Sequence, residues 1–460
     1  MLGLFKAGDV RTFGTLRVAG LIAVCGIALG LHAQDRASAR RAPIAPDAAR
    51  RVILYIGDGM GDSEITLARY YAAGAAGRLA MDTLPFTGTM TTYAVREDDP
   101  AHPVYVPDSA ATATAWSTGT KTSNGRISTE PRTDRVLRTI VELAQERGLR
   151  TGDVTTAELT DATPAAPAAH VAHRSCQGPA DMERCPQNRK RAGGLGAIAE
   201  QLVDRQVDVL LGGGAQRFGQ RTDAGQTVLE SASARGYQIV TNAAMLKLAV
   251  SGGRLLGLFA PGNMTPEWTG REALPYPSNV ASPQICQTGR RPANEPSLSE
   301  MTAKALDVLG ADDRGFFLQV EGASIDKESH AANPCGQIGE TIAFDRAILV
   351  GLEYAAAHPD TLIVVTGDHG HSGQIVGTPT DTDHPTGLLS VLLTKDGSPL
   401  TVSYATNGYH RAQDHTGTQI RVAARGPEGA AVRGVIDQTD LFRVIVRALQ
   451  LSASTMSSRP

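Results

Sequence analysis

The chain has 460 residues, with 44 Lys and Arg against 47 Asp and Glu, so its formal net charge at pH 7 is only −3. This balance argues against a nucleic-acid partner and gives no polybasic segment for anionic lipid. The length is sufficient for a large buried core, in two or three domains or in one large α/β domain.

The N-terminus has the pattern of a secretory signal peptide, which we place at residues 1–33. The basic residues Lys6, Arg11 and Arg17 precede an apolar stretch from Val18 to Leu31, and this stretch is shorter than the roughly 20 residues that span a bilayer. We therefore expect a periplasmic or secreted protein that is free of the membrane after cleavage; an uncleaved anchor is the alternative. Residues 34–48, rich in Ala, Arg and Pro, predict a disordered linker.

Cysteine usage agrees with export. Cys25 falls within the expected signal peptide, which leaves Cys176, Cys185, Cys286 and Cys335. An even number of cysteines in an exported chain indicates two disulfides, with three possible connectivities. We favour the sequential pairing, in which Cys176 joins Cys185 and Cys286 joins Cys335.

Strands and helices alternate along the chain. Apolar, β-branched segments predict strands at Arg51–Ile56, Thr151–Thr155, Val207–Leu211, Gly315–Val320 and Thr361–Thr366. Helical patterns between them cover Val136–Glu146, Leu195–Asp204 and Ile338–Ala357. This order predicts an α/β fold with a central, mostly parallel sheet and helices on both faces. We expect a single domain over residues 49–455, with a loop-rich cap inserted near 374–412, where Gly, Thr, Pro and Asp dominate.

Acidic and imidazole side chains follow the predicted strands. Asp58 comes after the first strand, and Asp368 with His369 comes after the fifth. Asp326 and His330 are four residues apart, so a helix would place them on one face. Carboxylate oxygen and imidazole nitrogen together suit zinc, and ligands of α/β sheets collect at the carboxyl ends of strands. The simpler interpretation is a set of helix-capping acids and surface histidines.

A serine lies at the start of a predicted helix of small residues. Asp108 precedes Ser109, and the following residues are mostly Ala and Thr. Asp108 or Ser109 could simply cap this helix. The N-terminus of a helix also offers N–H groups and a positive dipole end to an anion attached to the serine oxygen.

Several long motifs resemble those of the bacterial alkaline phosphatases. They are Gly57-Asp58-Gly59-Met60-Gly61-Asp62-Ser63-Glu64, Asp108-Ser109-Ala110-Ala111-Thr112-Ala113-Thr114-Ala115-Trp116, and the segments 161–166, 319–327, 330–338 and 415–417. The resemblance runs in order from about residue 51 to 450. Gly367 and Gly370 depart from it, since the family often has Ala at both positions.

The resemblance implies two Zn²⁺ and one Mg²⁺. One zinc would be held by Asp326, His330 and His415, and the other by Asp58, Asp368 and His369. Asp58 would also reach the magnesium, whose other ligands would be Asp161, Thr163 and Glu321. His371 would lie behind the ligands.

The resemblance also implies the roles of the remaining residues. Ser109 would be the nucleophile, activated by the zinc next to it, and Arg174 would bind the phosphate. Lys327 would reach the phosphate through water, and Asp108 would orient Arg174.

The function implied is hydrolysis of small phosphate monoesters through a phosphoserine, by an enzyme that forms a homodimer. A phosphodiesterase or sulfatase on the same scaffold is the nearest alternative. A phosphoglycerate-mutase-like isomerase is a further alternative, but export argues against it. A non-catalytic phosphate-binding protein is another, but such a protein would need neither two zinc sites nor Ser109.

Overall fold

The computed structural model describes residues 48–451, apart from 279, 281 and 312. The predicted signal peptide and nearly all of the predicted linker lie outside the described residues. Within the described residues, the strands are β1 Arg51–Gly57, β2 Phe86–Thr91, β3 Ala94–Val95, β4 Pro103–Val104, β5 Arg150–Glu158, β6 Val209–Gly213, β7 Tyr237–Val240, β8 Arg254–Leu258, β9 Trp268–Thr269, β10 Leu274–Pro275, β11 Gln287–Thr288, β12 Phe316–Gly322, β13 Thr361–Gly367, β14 Gln374–Val376, β15 Leu388–Leu393, β16 Pro399–Tyr404, β17 Ile420–Arg425 and β18 Gly434–Asp437.

The α-helices complete the alternation that the sequence predicts. They are α1 Asp62–Ala73, α2 Ser109–Thr118, α3 Ile140–Glu146, α4 Ala162–Ala165, α5 Ile198–Asp204, α6 Ala215–Phe218, α7 Val228–Ala234, α8 Ala243–Leu248, α9 Leu298–Leu309, α10 Ser324–His330, α11 Pro334–Ala357 and α12 Gln438–Ala448. All described residues belong to one compact unit. None of the helices in the described part of the chain is both long and apolar enough to cross a membrane.

The described strands form a ten-stranded main sheet in the order β18-β2-β17-β13-β1-β12-β5-β6-β8-β7. Every pairing in this sheet is parallel except those of β17, which is antiparallel to both β13 and β2. The α/β fold with a mostly parallel sheet is thus confirmed. The five predicted strands are all present and are central members of this sheet.

Both faces of the sheet are covered, as the alternation of side chains within β1 shows. Val52, Leu54 and Ile56 pack in one apolar cluster together with residues of α2, α3, α5 and α12. Ile53 and Tyr55 pack in another cluster with residues of α9 and α11. A strand buried on both faces needs the continuous apolar sequence by which it was recognised.

Helix starts differ from the predictions by a few residues because capping groups fix them. The helix predicted from Val136 begins at Ile140, since Thr139 Oγ1 accepts from the Glu142 N–H at 3.3 Å and the Glu142 carboxylate accepts from the Thr139 N–H. The helix predicted from Ile338 begins earlier, at Pro334, where proline suits the first helical position and Asn333 provides the cap,.

A second, smaller sheet contains much of the segment expected to form the cap. Its order is β10-β15-β16-β14, and three of these strands lie within residues 374–404. Leu388, Leu392 and Val402 bury their side chains against the disulfide cysteines Cys286 and Cys335. The segment is therefore more regular than its composition predicts, because β15 and β16 pair along their whole length.

Both predicted disulfides are confirmed. Cys176 is joined to Cys185, and Cys286 is joined to Cys335. The second bond closes a loop of 49 residues that includes Glu321, Asp326 and His330. Cross-linking restricts local opening of a loop, so this bond should help to hold the potential ligands in place.

After both proteins have been loaded with Zn²⁺ as a probe, we expect the double variant Cys286→Ser/Cys335→Ser to release the ion to a chelator about three- to tenfold faster than the wild type, because the loop that carries Asp326 and His330 opens more often. The matched control is Cys176→Ser/Cys185→Ser, whose loop contains no expected ligand. Zinc release would be followed with a colorimetric chelator on folded protein. Equal release from the two double variants would contradict this role of the Cys286–Cys335 bond.

Candidate active site

The site lies at the carboxyl edge of four neighbouring parallel strands. The order β13-β1-β12-β5 brings Asp368, Asp58 and Glu321 together, since each lies at or just beyond the end of its strand. The register pairs Gly57 with both Gly322 and Gly367, so the three strands end level with one another. Side chains that are far apart in the sequence therefore share one edge.

Asp58, Asp368 and His369 form one group, the Asp58 cluster, with potential ligand atoms within 4.8 Å of one another. All three are buried. The Gly59 N–H donates to Asp368 Oδ1 at 2.8 Å, and His369 Nε2 lies 3.1 Å from Asp368 Oδ2. This turn requires glycine at position 59, where φ is +66° and a Cβ would lie 3.0 Å from the Asp326 Cα,.

Asp326, His330, His371 and His415 form a second group, the Asp326 cluster, within the same distance limit of 4.8 Å. The histidine Nε2 atoms lie 3.3–3.4 Å from the Asp326 carboxylate. The sequence-based expectation placed His371 behind the ligands, and its Nε2, 3.3 Å from Asp326 Oδ1, is compatible with that place.

Backbone carbonyls fix the orientation of two of these imidazole rings. His415 Nδ1 lies 3.0 Å from the Pro107 carbonyl oxygen, and His330 Nδ1 contacts that of Gln413. Each Nδ1 must carry the proton to donate it, which leaves a lone pair on each Nε2. These two Nε2 atoms are 3.1 Å apart, close enough to share a proton or a cation. Neither carbonyl could be identified from the sequence, because any residue type supplies one.

Ser109 lies beside the Asp58 cluster, at the first position of α2. Its Oγ is 3.3 Å from His369 Nε2 and 3.5 Å from Asp58 Oδ1. The side chain of Asp108 caps the helix by accepting from the Ala111 N–H at 3.0 Å, so both sequence interpretations of this helix start are compatible. The serine is only 3% exposed, which limits the groups that can reach it from solvent.

Arg174 and Lys327 converge on Asp161. Arg174 donates to Asp161 Oδ1 at 2.9 Å and to Asp108 Oδ2 at 3.3 Å, and Lys327 donates to Asp161 Oδ2 at 2.9 Å. Burial disfavours the ionised form of Asp161, but Lys327 and Arg174 outweigh it and hold its pKa well below the usual range. The carboxylate of Asp161 therefore stays ionised and keeps the two cations side by side.

The residues expected at the magnesium site are placed around the same edge. Thr163 Oγ1 is buried and has no hydrogen-bond partner, whereas Glu321 accepts from the Thr155 hydroxyl. Asp161 accepts from Arg174 through Oδ1 and from Lys327 through Oδ2, so it would share its charge between these two cations and a metal ion.

Comparison with known proteins agrees with this geometry. The family model described as alkaline phosphatase matches residues 49–412. The chain is 52% identical over 419 residues to a streptomycin-6-phosphate phosphatase of Streptomyces griseus, covering 88% of this chain and 92% of that one. It is 49% identical over 428 residues to an alkaline phosphatase of Escherichia coli, covering 91% of this chain and 89% of that one.

Solved structures show the same fold. The alkaline phosphatase of the Antarctic bacterium TAB5 superposes with a TM-score of 0.69 at 25% identity, covering 88% of this chain and 99% of that one. The chain therefore belongs to the alkaline phosphatase family and is a phosphate monoester hydrolase.

Proposed function

We propose that this enzyme hydrolyses phosphate monoesters by transferring the phosphoryl group to Ser109, with two Zn²⁺ and one Mg²⁺ as cofactors. The observation that carries the proposal is the position of Ser109 Oγ, 3.3 Å from His369 and 3.5 Å from Asp58. The oxygen is thus next to a group of metal-capable side chains, at the positive end of a helix.

The residues around Ser109 suit a phosphate dianion. Arg174 offers two guanidinium nitrogens, a geometry that matches two phosphate oxygens better than a lysine could. Asp108 and Asp161 hold this guanidinium in place. Lys327 adds a second positive charge at the far side of Asp161. A substrate phosphate would therefore meet two fixed cations in addition to the serine.

The chemistry of the donors fits divalent cations. The Asp58 cluster offers two carboxylates and one imidazole, and the Asp326 cluster offers one carboxylate and three imidazoles; both combinations are typical of zinc. Asp326 Oδ1 is buried 3.3 Å from His371 Nε2 and 3.4 Å from His415 Nε2, so this carboxylate oxygen and the imidazole nitrogens are close enough to bind one cation. When bound, two such ions stabilise the attacking and the leaving oxygen of an in-line displacement.

Thr163, Glu321 and Asp58 supply oxygen donors for the magnesium, which prefers such ligands. Asp161 would complete this set, and its two oxygens also accept from Arg174 and Lys327.

The buried carboxylates also require positive charge. Burial and the nearby Asp326 raise the pKa of Asp58 to about 7. Burial and Asp58 raise the pKa of both Asp368 and Glu321 well above the usual range. These acids repel one another when they are ionised without a counter-charge, and bound cations would remove that cost.

A phosphodiesterase or sulfatase is the competing proposal. A monoester dianion carries one more negative charge than a diester or a sulfate ester, and the pair of Arg174 and Lys327 matches that charge. The relative from Streptomyces griseus is named for streptomycin 6-phosphate, so phosphorylated aminoglycosides belong among the monoesters to be tested.

Export and dimerisation complete the proposal. Two disulfides in the described chain are typical of an oxidising compartment, which supports a periplasmic or secreted location. The homodimer stays a prediction from the family resemblance.

Ser109→Ala should lower kcat on an aryl phosphate by at least about a thousandfold, because the variant has no oxygen to accept the phosphoryl group. Zinc content should stay unchanged, since Ser109 is not an expected ligand. Brief incubation of the wild type with labelled substrate at acidic pH should leave phosphate on Ser109, detectable by mass spectrometry. Full turnover in the metal-loaded variant would exclude the covalent route.

Substrate selectivity separates the enzyme classes. We expect kcat/KM for an aryl monoester to exceed that for the matched diester and sulfate by about a thousandfold or more. In Arg174→Ala the monoester should lose about a hundredfold, whereas the diester should lose less because it makes fewer charged contacts. A wild type that prefers the diester or the sulfate would favour the competing proposal.

Metal removal should make stability depend on pH. The pKa of Asp58 is about 7 in the metal-free fold and about 4 in an unfolded chain. The folded protein therefore holds a proton that the unfolded chain releases, and stability is lost as the pH rises through this window. We expect the unfolding midpoint of chelated protein to fall by about 3 °C between pH 5 and pH 8, and that of zinc-loaded protein to change less. Calorimetry at matched ionic strength measures both, and identical slopes would contradict the charge argument.

A further inference from the structure

One buried carboxylate near the Asp58 cluster has no part in the roles above. Glu64, the third residue of α1, is 2% exposed. Its Oε2 accepts from the Gly61 N–H at 2.9 Å. Its Oε1 is buried and has no hydrogen-bond partner, which is costly for a carboxylate unless the position has a purpose.

The second oxygen lies against the chain segment that follows His371. A Cβ on Gly373 would be 3.3 Å from Glu64 Oε1 and 3.6 Å from Gln337 Nε2. Gln337 Nε2 is likewise buried without a partner, while Gln337 Oε1 accepts from the Tyr404 hydroxyl at 2.6 Å. An acceptor from α1 and a donor from α11 therefore both border the space beside the Cα of Gly373, where only glycine leaves room for them.

The two segments that Glu64 contacts are the ones that carry the Asp58 cluster. Gly61 ends the turn that begins with Asp58. Gly373 ends the segment that begins with Asp368. The segments also meet directly, since a Cβ on Gly61 would lie 3.7 Å from the Gly370 Cα. The Glu64 carboxylate is thus placed between the two halves of one metal-binding group.

We propose that Glu64 is a positioning residue that holds these two segments at the spacing a metal ion requires. It acts through the hydrogen bond from the Gly61 N–H on one side and by filling the space beside Gly373, together with Gln337, on the other. This inference rests on the proposed metal ligands. Groups behind the ligands commonly change metal affinity about ten- to a hundredfold when they are removed.

The test is zinc affinity measured by competition with a chelator, with kcat at saturating zinc as the second reading. Glu64→Ala should lower the affinity of one zinc site about tenfold, while kcat recovers at least in part when zinc is added in excess. Glu64→Gln keeps an oxygen for the Gly61 N–H and should restore most of the affinity.

The matched control is Glu200→Ala. Glu200 is 6% exposed and accepts from the Ala197 N–H at 2.9 Å, so it is the same buried cap at the start of another helix. It should lose stability but keep zinc. Three outcomes would show that Glu64 has no positioning role. Glu200→Ala and Glu64→Ala could lose zinc to the same extent, or neither could lose it. Glu64→Gln could also fail to restore any zinc affinity. If Glu64→Ala does not fold, Glu64→Asp against Glu200→Asp gives the same comparison, because the shorter side chain keeps the charge but no longer spans from Gly61 to Gly373. A folded wild type that binds no zinc would instead overturn the metal assignment itself.

Discussion

The structure depends on keeping acidic side chains close together in a buried place. Asp58, Asp368 and Glu321 lie at the level ends of adjacent parallel strands, where water cannot screen their charges. Their raised pKa values show the cost of this arrangement in the absence of bound cations. Burying these acids lowers the free energy of unfolding, and the apolar packing on both faces of the sheet must offset that loss. A strand such as β1 is held by apolar clusters on its two sides,.

Around that edge, the backbone fixes orientation more than the side chains do. The Pro107 carbonyl sets the ring of His415, and Pro107 directly precedes Asp108 and Ser109. One short segment thus positions both Ser109, the proposed nucleophile, and a residue of the Asp326 cluster. On the other side, the Gly59 N–H fixes Asp368. Such contacts tie each metal-binding group to the serine, so a shift of one segment would disturb several functional atoms at once.

Where Arg174 and Lys327 lie, an acidic side chain offsets their positive charges. Asp161 lies between Arg174 and Lys327 and keeps both cations at the site when no substrate is bound. A substrate phosphate would compete with Asp161 for these cations, which gives the site a preference for strongly anionic groups. Glu64 has a comparable place behind the Asp58 cluster, although it contacts backbone rather than cations.

The sequence alone predicted five central strands of the main sheet, favoured the correct disulfide pairing and indicated the family, because each rests on a local or ordered signal. The continuous apolar segment Thr361–Thr366 predicts a central strand since both of its faces are buried, and the four cysteines left few pairings. The sequence could not determine that His371 lies next to Asp326, or that both oxygens of Asp161 accept hydrogen bonds from cationic side chains. It also could not determine that the strands within residues 374–404 pair into a sheet. These depend on distances between residues up to about three hundred positions apart and on backbone groups that every residue carries. Only packing of the tertiary structure sets such distances, so it alone decided which of the suitable side chains meet at the site.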